Sequence, residues 1–287
     1  MPLPIISADQ RLAEHRGIKG CIFGKSGIGK TRLIKTLNPA TTLFFDLEAG
    51  DLAIGDWPVY SIRPQSWEEC RNFALFIGGG NPYHSKEQTY SKERYEELCE
   101  PKNYGSASFL DKYDTIFVDS ITVAGRLCFH WCQQQCRDKA GKIDTRASYG
   151  LHGQEMMAWL THLQHVRNKN IWFVGILDEK RDDFNRAYYA PQIEGSKTGL
   201  ELPGIVDQVI TMAELNGTDK DEHGKDVDVP YRAFICHTLN PYGYPAKDRS
   251  GKLDCIEQPH LGNLMEKIAG KAVTSSPTQP HTLTQEK

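Results

Sequence analysis

Apolar residues fall in short runs, each bounded by glycine, proline or polar clusters. Residues 18–23 (IKGCIF) read as a strand that ends at a glycine-rich loop, after which RLIKTL has helical spacing until Asn38 and Pro39 stop it. Residues 42–45 form a second strand that runs into Asp46 and Glu48 ahead of Gly50, and 59–62 form a third. Residues 67–76 have helical periodicity. A further apolar strand, 115–118, leads into Asp119 and Ser120 and is followed by a helix that carries Cys128, Cys132 and Cys136. After a polar loop at 137–146, HGQEMMAWLTHLQHVRN gives another amphipathic helix. Strands are expected next at 171–177, 206–212 and 231–237, with NGTDKDEHGKD as an exposed turn between the last two.

Strands that are apolar throughout are buried on both faces, and strands alternating with helices form a mostly parallel sheet. The expected fold class is therefore α/β, with helices on both faces of the sheet and late C-terminal strands. In such sheets ligands bind at the carboxyl ends of the strands, where Asp46, Glu48 and Asp119 fall. Two stretches depart from the alternation. Residues 78–108 turn glycine-rich and then charged, reading as an exposed, mobile insertion with a short helix in SKERYEELCE. Residues 178–199 (DEKRDDFNRAYYAPQIEGSKTG) show neither helical nor strand period. The tail at 271–287 is rich in Ser, Thr, Pro and Gln and is expected to be disordered. That leaves 1–16 as an N-terminal segment and 17–270 as one domain.

The chemistry concentrates at GKSGIGKT: Gly24, Lys25, Ser26, Gly27, Ile28, Gly29, Lys30 and Thr31 fit G-x-x-x-x-G-K-[ST] between a strand and a helix. Glycines let the backbone fold round an anion, so that successive N–H groups and a helix N-terminus point at phosphate oxygens. Lys30 adds a charge at the β- and γ-phosphates of ATP, and the Thr31 hydroxyl is a ligand for Mg²⁺. Asp119 ends the apolar strand that a P-loop enzyme uses to hold that magnesium. Asp46 and Glu48 share a strand face, and Glu48, further beyond the apolar run, is the candidate to orient the attacking water.

Charge and cysteine content change the picture little. A formal net charge of −3 excludes a broadly basic surface, so any nucleic-acid contact must be local. No run approaches the length of a membrane span, which points to a cytosolic protein without a membrane partner. The eight cysteines suit reduced thiols, and Cys128, Cys132 and Cys136 at four-residue spacing read as small buried hydrophobes rather than a zinc site.

With these residues in place the chain resembles the RecA-like P-loop ATPases, especially the compact phage-type ATP-binding proteins associated with single-strand-annealing recombination. The resemblance covers residues 17–268. It rests on the P-loop, on FFDLEAG and FVDS, and on SYG at 148–150, GLELPGIVDQVITM at 199–212 and PAKDRSGKL at 245–253. It implies that Glu48 activates water, that Asp119 organises Mg²⁺, and that Lys247 and Arg249 reach a neighbouring subunit's γ-phosphate in a homo-oligomer. It also implies that the loops at 137–149 and 180–199 face single-stranded DNA, with a single-strand binding or annealing protein as partner. The second loop carries Lys180, Arg181, Arg186 and Lys197 among Phe184, Tyr188 and Tyr189, cations and stacking surfaces that suit single strands, diluted by Asp182, Asp183 and Glu194. One departure stands out: where RecA-like strands end in a polar amide, this one ends in Leu177, Asp178 and Glu179. A nucleotide-gated scaffold with little hydrolysis and a double-stranded DNA motor are the alternative functions.

Overall fold

The structure is a computed structural model, and it describes residues 5–14, 16–220 and 225–271. A short helix, α1 (Ala8–Ala13), precedes the first strand, β1 (Lys19–Gly24), which is buried along its whole length. Then follow β2 (Thr42–Asp46), β3 (Tyr60–Ile62), α2 (Trp67–Gly78), α3 (Lys92–Leu98), β4 (Thr115–Asp119), α4 (Ile121–Gln135) and α5 (Thr145–Gln164). The later part of the chain supplies β5 (Asn170–Arg181), β6 (Ala187–Pro191), α6 (Ser196–Ile205), β7 (Gln208–Lys220), β8 (Asp226–Ile235), β9 (Lys247–Asp248), β10 (Ile256–Glu257) and α7 (Leu261–Ile268).

The main path of the sheet runs β10-β8-β7-β1-β5-β4-β2-β3, with β6 added to β5 and β9 to β7. Strands β3, β2, β4, β5, β1 and β7 are parallel, while β8, β10, β6 and β9 pair antiparallel. This is the α/β arrangement expected, a mostly parallel sheet with late C-terminal strands. Because side chains alternate along a strand, each central strand feeds two cores. Cys21, Phe23, Leu43, Phe45, Ile116, Val118, Ile171 and Phe173 face the layer of α2, α4 and α5. Ile22, Phe44, Phe117, Trp172 and Val174 face the opposite layer, closed by Leu33 and Ile34 and by Leu261 and Leu264 of α7. Such burial contributes roughly 1.5–3 kcal/mol per large apolar side chain. Gly20 of β1 is needed for that packing, because a Cβ there would lie 2.3 Å from the Trp172 ring.

Several segments differ from the sequence reading, each for a tertiary reason. After the loop the chain forms only a 3-10 helix, Thr31–Thr36, cut short before Asn38 and Pro39. Segment 78–108 is not exposed throughout: Tyr90, Ser91 and Leu98 are buried, and the Tyr90 ring stacks on His162 of α5 with centroids 4.3 Å apart. The aperiodic 178–199 region holds a hairpin, in which the extension of β5 pairs with β6 from Leu177↔Pro191 to Arg181↔Ala187, and the start of α6. Much of NGTDKDEHGKD continues β7 and β8, paired as far as Lys220↔Asp226, although residues 221–224 lie outside the described residues. The tail from 272 to 287 also lies outside them. Cys128 and Cys132 are fully buried, and Cys136 is half-buried.

Candidate nucleotide-binding site

The strand order sets the site. Strand β5 lies between β1 and β4, so the loop after β1 and the carboxylate ending β4 sit at the same end of the sheet. In the loop, Gly27 and Gly29 have φ of 78° and 105°, a region side chains disfavour, and this is why the spacing demands glycine there. Lys30 Nζ donates to the carbonyl oxygens of Gly24 at 3.0 Å and Lys25 at 2.9 Å, folded back across the loop. Burial lowers its pKa, against the opposing negative charges of Asp119 and Glu48 nearby.

Thr31 Oγ1 donates to Asp119 Oδ2 at 2.6 Å, bringing together the hydroxyl and the carboxylate assigned to the metal. Burial pushes the Asp119 carboxyl up to about 6; the Thr31 hydrogen bond opposes this, and the charge of Glu48 adds to it. Asp46 lies in register with Asp119 on the neighbouring strand. Glu48 is exposed just beyond β2 and accepts a hydrogen bond from Ser120 Oγ. Ser120 is buried and caps α4, its Oγ accepting from Val123 N at 3.3 Å. The turn after Glu48 is tied down on both sides. Ala49 takes a left-handed φ of 53°, Gly50 N donates to Asp46 Oδ1 at 3.0 Å, and Arg63 pairs with Asp51 at 2.6 Å.

Sequence reasoning missed two residues of this constellation. Ser120 stood in the sequence only as the residue between a strand and a helix, with nothing to mark it as the partner of Glu48, 72 positions away. Arg232 of β8 left no local signal. Its Nη1 donates to the Ile28 carbonyl oxygen at 3.1 Å and lies 2.7 Å from where a Cβ on Gly29 would stand. A loop whose N–H groups turn inward to phosphate turns carbonyls outward, so Arg232 braces the loop from outside. Arg232→Ala is expected to weaken ATP binding about tenfold, the worth of one charge-assisted hydrogen bond, with little change in melting temperature. Nucleotide titration of the two proteins checks this.

The remaining candidates lie elsewhere. Lys247 lies in β9, paired with Val209 near the start of β7, and Arg249 follows β9, both at the amino end of the sheet and away from this chain's own loop. Lys247 Nζ donates to the carbonyl oxygens of Pro203 and Val206 at the end of α6, and Arg249 pairs with Asp207 at 2.9 Å. At the hairpin tip, Asp182 accepts from the backbone N–H groups of Phe184 and Arg186, and Arg186 lies over the Phe184 ring at 5.1 Å. Phe184 is 79% exposed and Tyr188 46%. The side chain of Lys197 lies outside the described residues. The first candidate loop, expected over 137–149, ends at Asp144, whose side chain caps α5, so Tyr149 is helical; it stacks on Phe129 at 4.4 Å, and Gly195 comes close enough that a Cβ on it would lie 3.7 Å from the Tyr149 ring. The start of α5 and the end of the second candidate loop are thus neighbours. Between the hairpin and Lys25–Ile28 opens a cleft of about 470 Å³ lined by Leu177, Glu179, Tyr189 and Met212.

A parallel sheet with a glycine loop, a lysine, a threonine and a strand-terminal aspartate at its carboxyl end defines a P-loop nucleotide-binding core. A family model described as an AAA domain matches residues 16–250, and the chain belongs to that family, carrying an AAA/P-loop ATPase-like domain. No curated protein matches the chain. No helix among the described residues is long and apolar enough to cross a membrane.

Proposed function

We propose that this protein is a Mg²⁺-dependent ATPase of RecA-like type that couples ATP binding and hydrolysis to single-stranded DNA in phage-type recombination, annealing or repair. The observation that carries the reading is the junction of Thr31 with Asp119, with the Ser120-held Glu48 at the carboxyl end of the adjoining strand. The loop N–H groups and Lys30 hold the phosphates. Thr31 and Asp119 fit a magnesium ion, whose bound charge would offset the developing charge on the phosphates. Glu48 accepts a hydrogen bond from the water and directs its oxygen at the γ-phosphorus, in line with the bond to the β-phosphate that breaks to release ADP. Ser120 fixes the Glu48 carboxylate for that role.

The hairpin supplies the DNA arm of the proposal. It shares the cleft with Lys25–Ile28 and carries Phe184, Arg181 and Arg186 at its exposed end. Lys247 and Arg249, placed away from this chain's own phosphates, are kept for a neighbour's site in a homo-oligomer. A second reading, a nucleotide-gated scaffold that loads an annealing or single-strand binding protein, draws on Leu177 and Glu179, which stand at the cleft where an amide sensor is expected.

Steady-state ATP hydrolysis with Mg²⁺, with and without single-stranded DNA, separates the two, with Lys30→Ala as the blank. Turnover stimulated several-fold by single strands and abolished in the variant is expected. ATP binding without turnover in either condition would overturn the enzyme reading in favour of the scaffold.

A further inference from the structure

Asp46 has so far served only to anchor the Glu48 turn, yet half of its carboxylate is unused. The side chain is fully buried, and the residue retains 2% exposure. Oδ1 accepts from Gly50 N, but Oδ2 has no hydrogen-bond partner. Among the described residues its one ion-pair contact is Arg63 Nε at 3.5 Å, without hydrogen-bond geometry, and the Arg63 Nη2 is committed to Asp51. A buried carboxylate oxygen without a donor costs free energy, and where the fold retains one a bound water or ion is the usual occupant.

The surroundings of Asp46 indicate which. Asp46 and Asp119 are register partners on parallel β2 and β4, so they leave the sheet at the same level and toward the same face. Gly50, held by Oδ1, packs over the Thr31–Asp119 pair: a Cβ on it would lie 3.9 Å from Thr31 Oγ1 and 4.0 Å from Asp119 Oδ2. Among the described residues no three carboxylate, thiol or imidazole side chains converge as direct metal ligands. That absence fits a hard cation which keeps several of its waters and takes few protein ligands.

We propose that Asp46 is a positioning residue of the magnesium site, its Oδ2 accepting a hydrogen bond from a metal-bound water while Thr31 and Asp119 face the ion itself. This rests on the magnesium reading above. One strand end then serves two tasks: Asp46 orients the hydration shell, and Glu48, two residues on, orients the attacking water. Arg63, whose side chain is 55% exposed, balances the extra negative charge from outside.

The test uses the full chain with ADP and Mn²⁺ as the probe, reading free Mn²⁺ by electron paramagnetic resonance and ADP binding in EDTA by calorimetry. Asp46→Asn keeps an acceptor for Gly50 N and removes the charge. It is expected to weaken Mn²⁺ binding about tenfold, as loss of an outer-shell partner does, with ADP binding in EDTA unchanged. Arg63→Gln removes a positive charge and is expected to leave Mn²⁺ affinity unchanged or tighter. Wild-type Mn²⁺ affinity in Asp46→Asn, or equal weakening in Arg63→Gln, overturns the proposal and leaves Asp46 as an anchor of the turn. Asp119→Asn is the control: if it too binds Mn²⁺ like the wild type, the magnesium reading itself falls, and this inference with it.

Discussion

Glu48→Gln is expected to lower ATP turnover by about 10²–10⁴-fold while leaving ATP binding intact. Glutamine has nearly the same shape and still offers an oxygen to the Ser120 hydroxyl, so the turn held by Asp46, Arg63 and Ala49 is preserved. What disappears is the negative charge that polarises the water. Single-turnover hydrolysis, paired with nucleotide titration, separates chemistry from binding. Turnover within a few-fold of wild type would remove Glu48 from the mechanism and return attention to residues around the cleft.

Asp119→Asn is expected to stabilise the nucleotide-free protein at neutral pH while abolishing Mg²⁺-dependent hydrolysis. The sign follows from the carboxyl lying at about 6 in the fold rather than at its ordinary 3.8. Below pH 3.8 both folded and unfolded chains hold the proton, and the residue contributes nothing. As pH rises from there, the unfolded chain ionises first, and above pH 6 the buried charge costs on the order of 3 kcal/mol. Asparagine avoids that cost and retains an acceptor for Thr31. Thermal melts at pH 7.5 should place the variant roughly 5–10 °C above the wild type, the gap closing toward pH 4. A variant that melts lower at pH 7.5 would show that the Asp119 charge is compensated in the fold. Loss of Mg²⁺·ATP protection in the same melts checks the other half of the expectation.

The loop and the two strand-terminal acids were legible because each is a local pattern. The residue types and their spacing in GKSGIGKT follow from backbone conformations that few residues other than glycine tolerate. Likewise, a strand buried on both faces has few ways to read except as a continuous apolar run, so β1, β2, β4 and β5 could be placed from composition alone. The hairpin of β5 and β6 was not legible. Its outer pairs, such as Glu179↔Tyr189 and Lys180↔Tyr188, are exposed on one or both residues, so no burial imposes an alternating pattern on them. The segment around Tyr90 and Leu98 misled in the opposite direction, because a few buried anchors among many charges carry too little periodicity to show.

By itself the sequence determined the α/β class, the phosphate loop and the carboxylates at the strand ends, since these depend on contacts within a few residues of the chain. Only the tertiary structure decided which of them meet: that β5 separates β1 from β4, that Thr31 reaches Asp119, that Ser120 holds Glu48 and that Arg232 braces the loop. It also set Lys247 and Arg249 at the far end of the sheet. Strand order and register bring residues tens to hundreds of positions apart to hydrogen-bond distance, and no local preference of the backbone encodes that pairing.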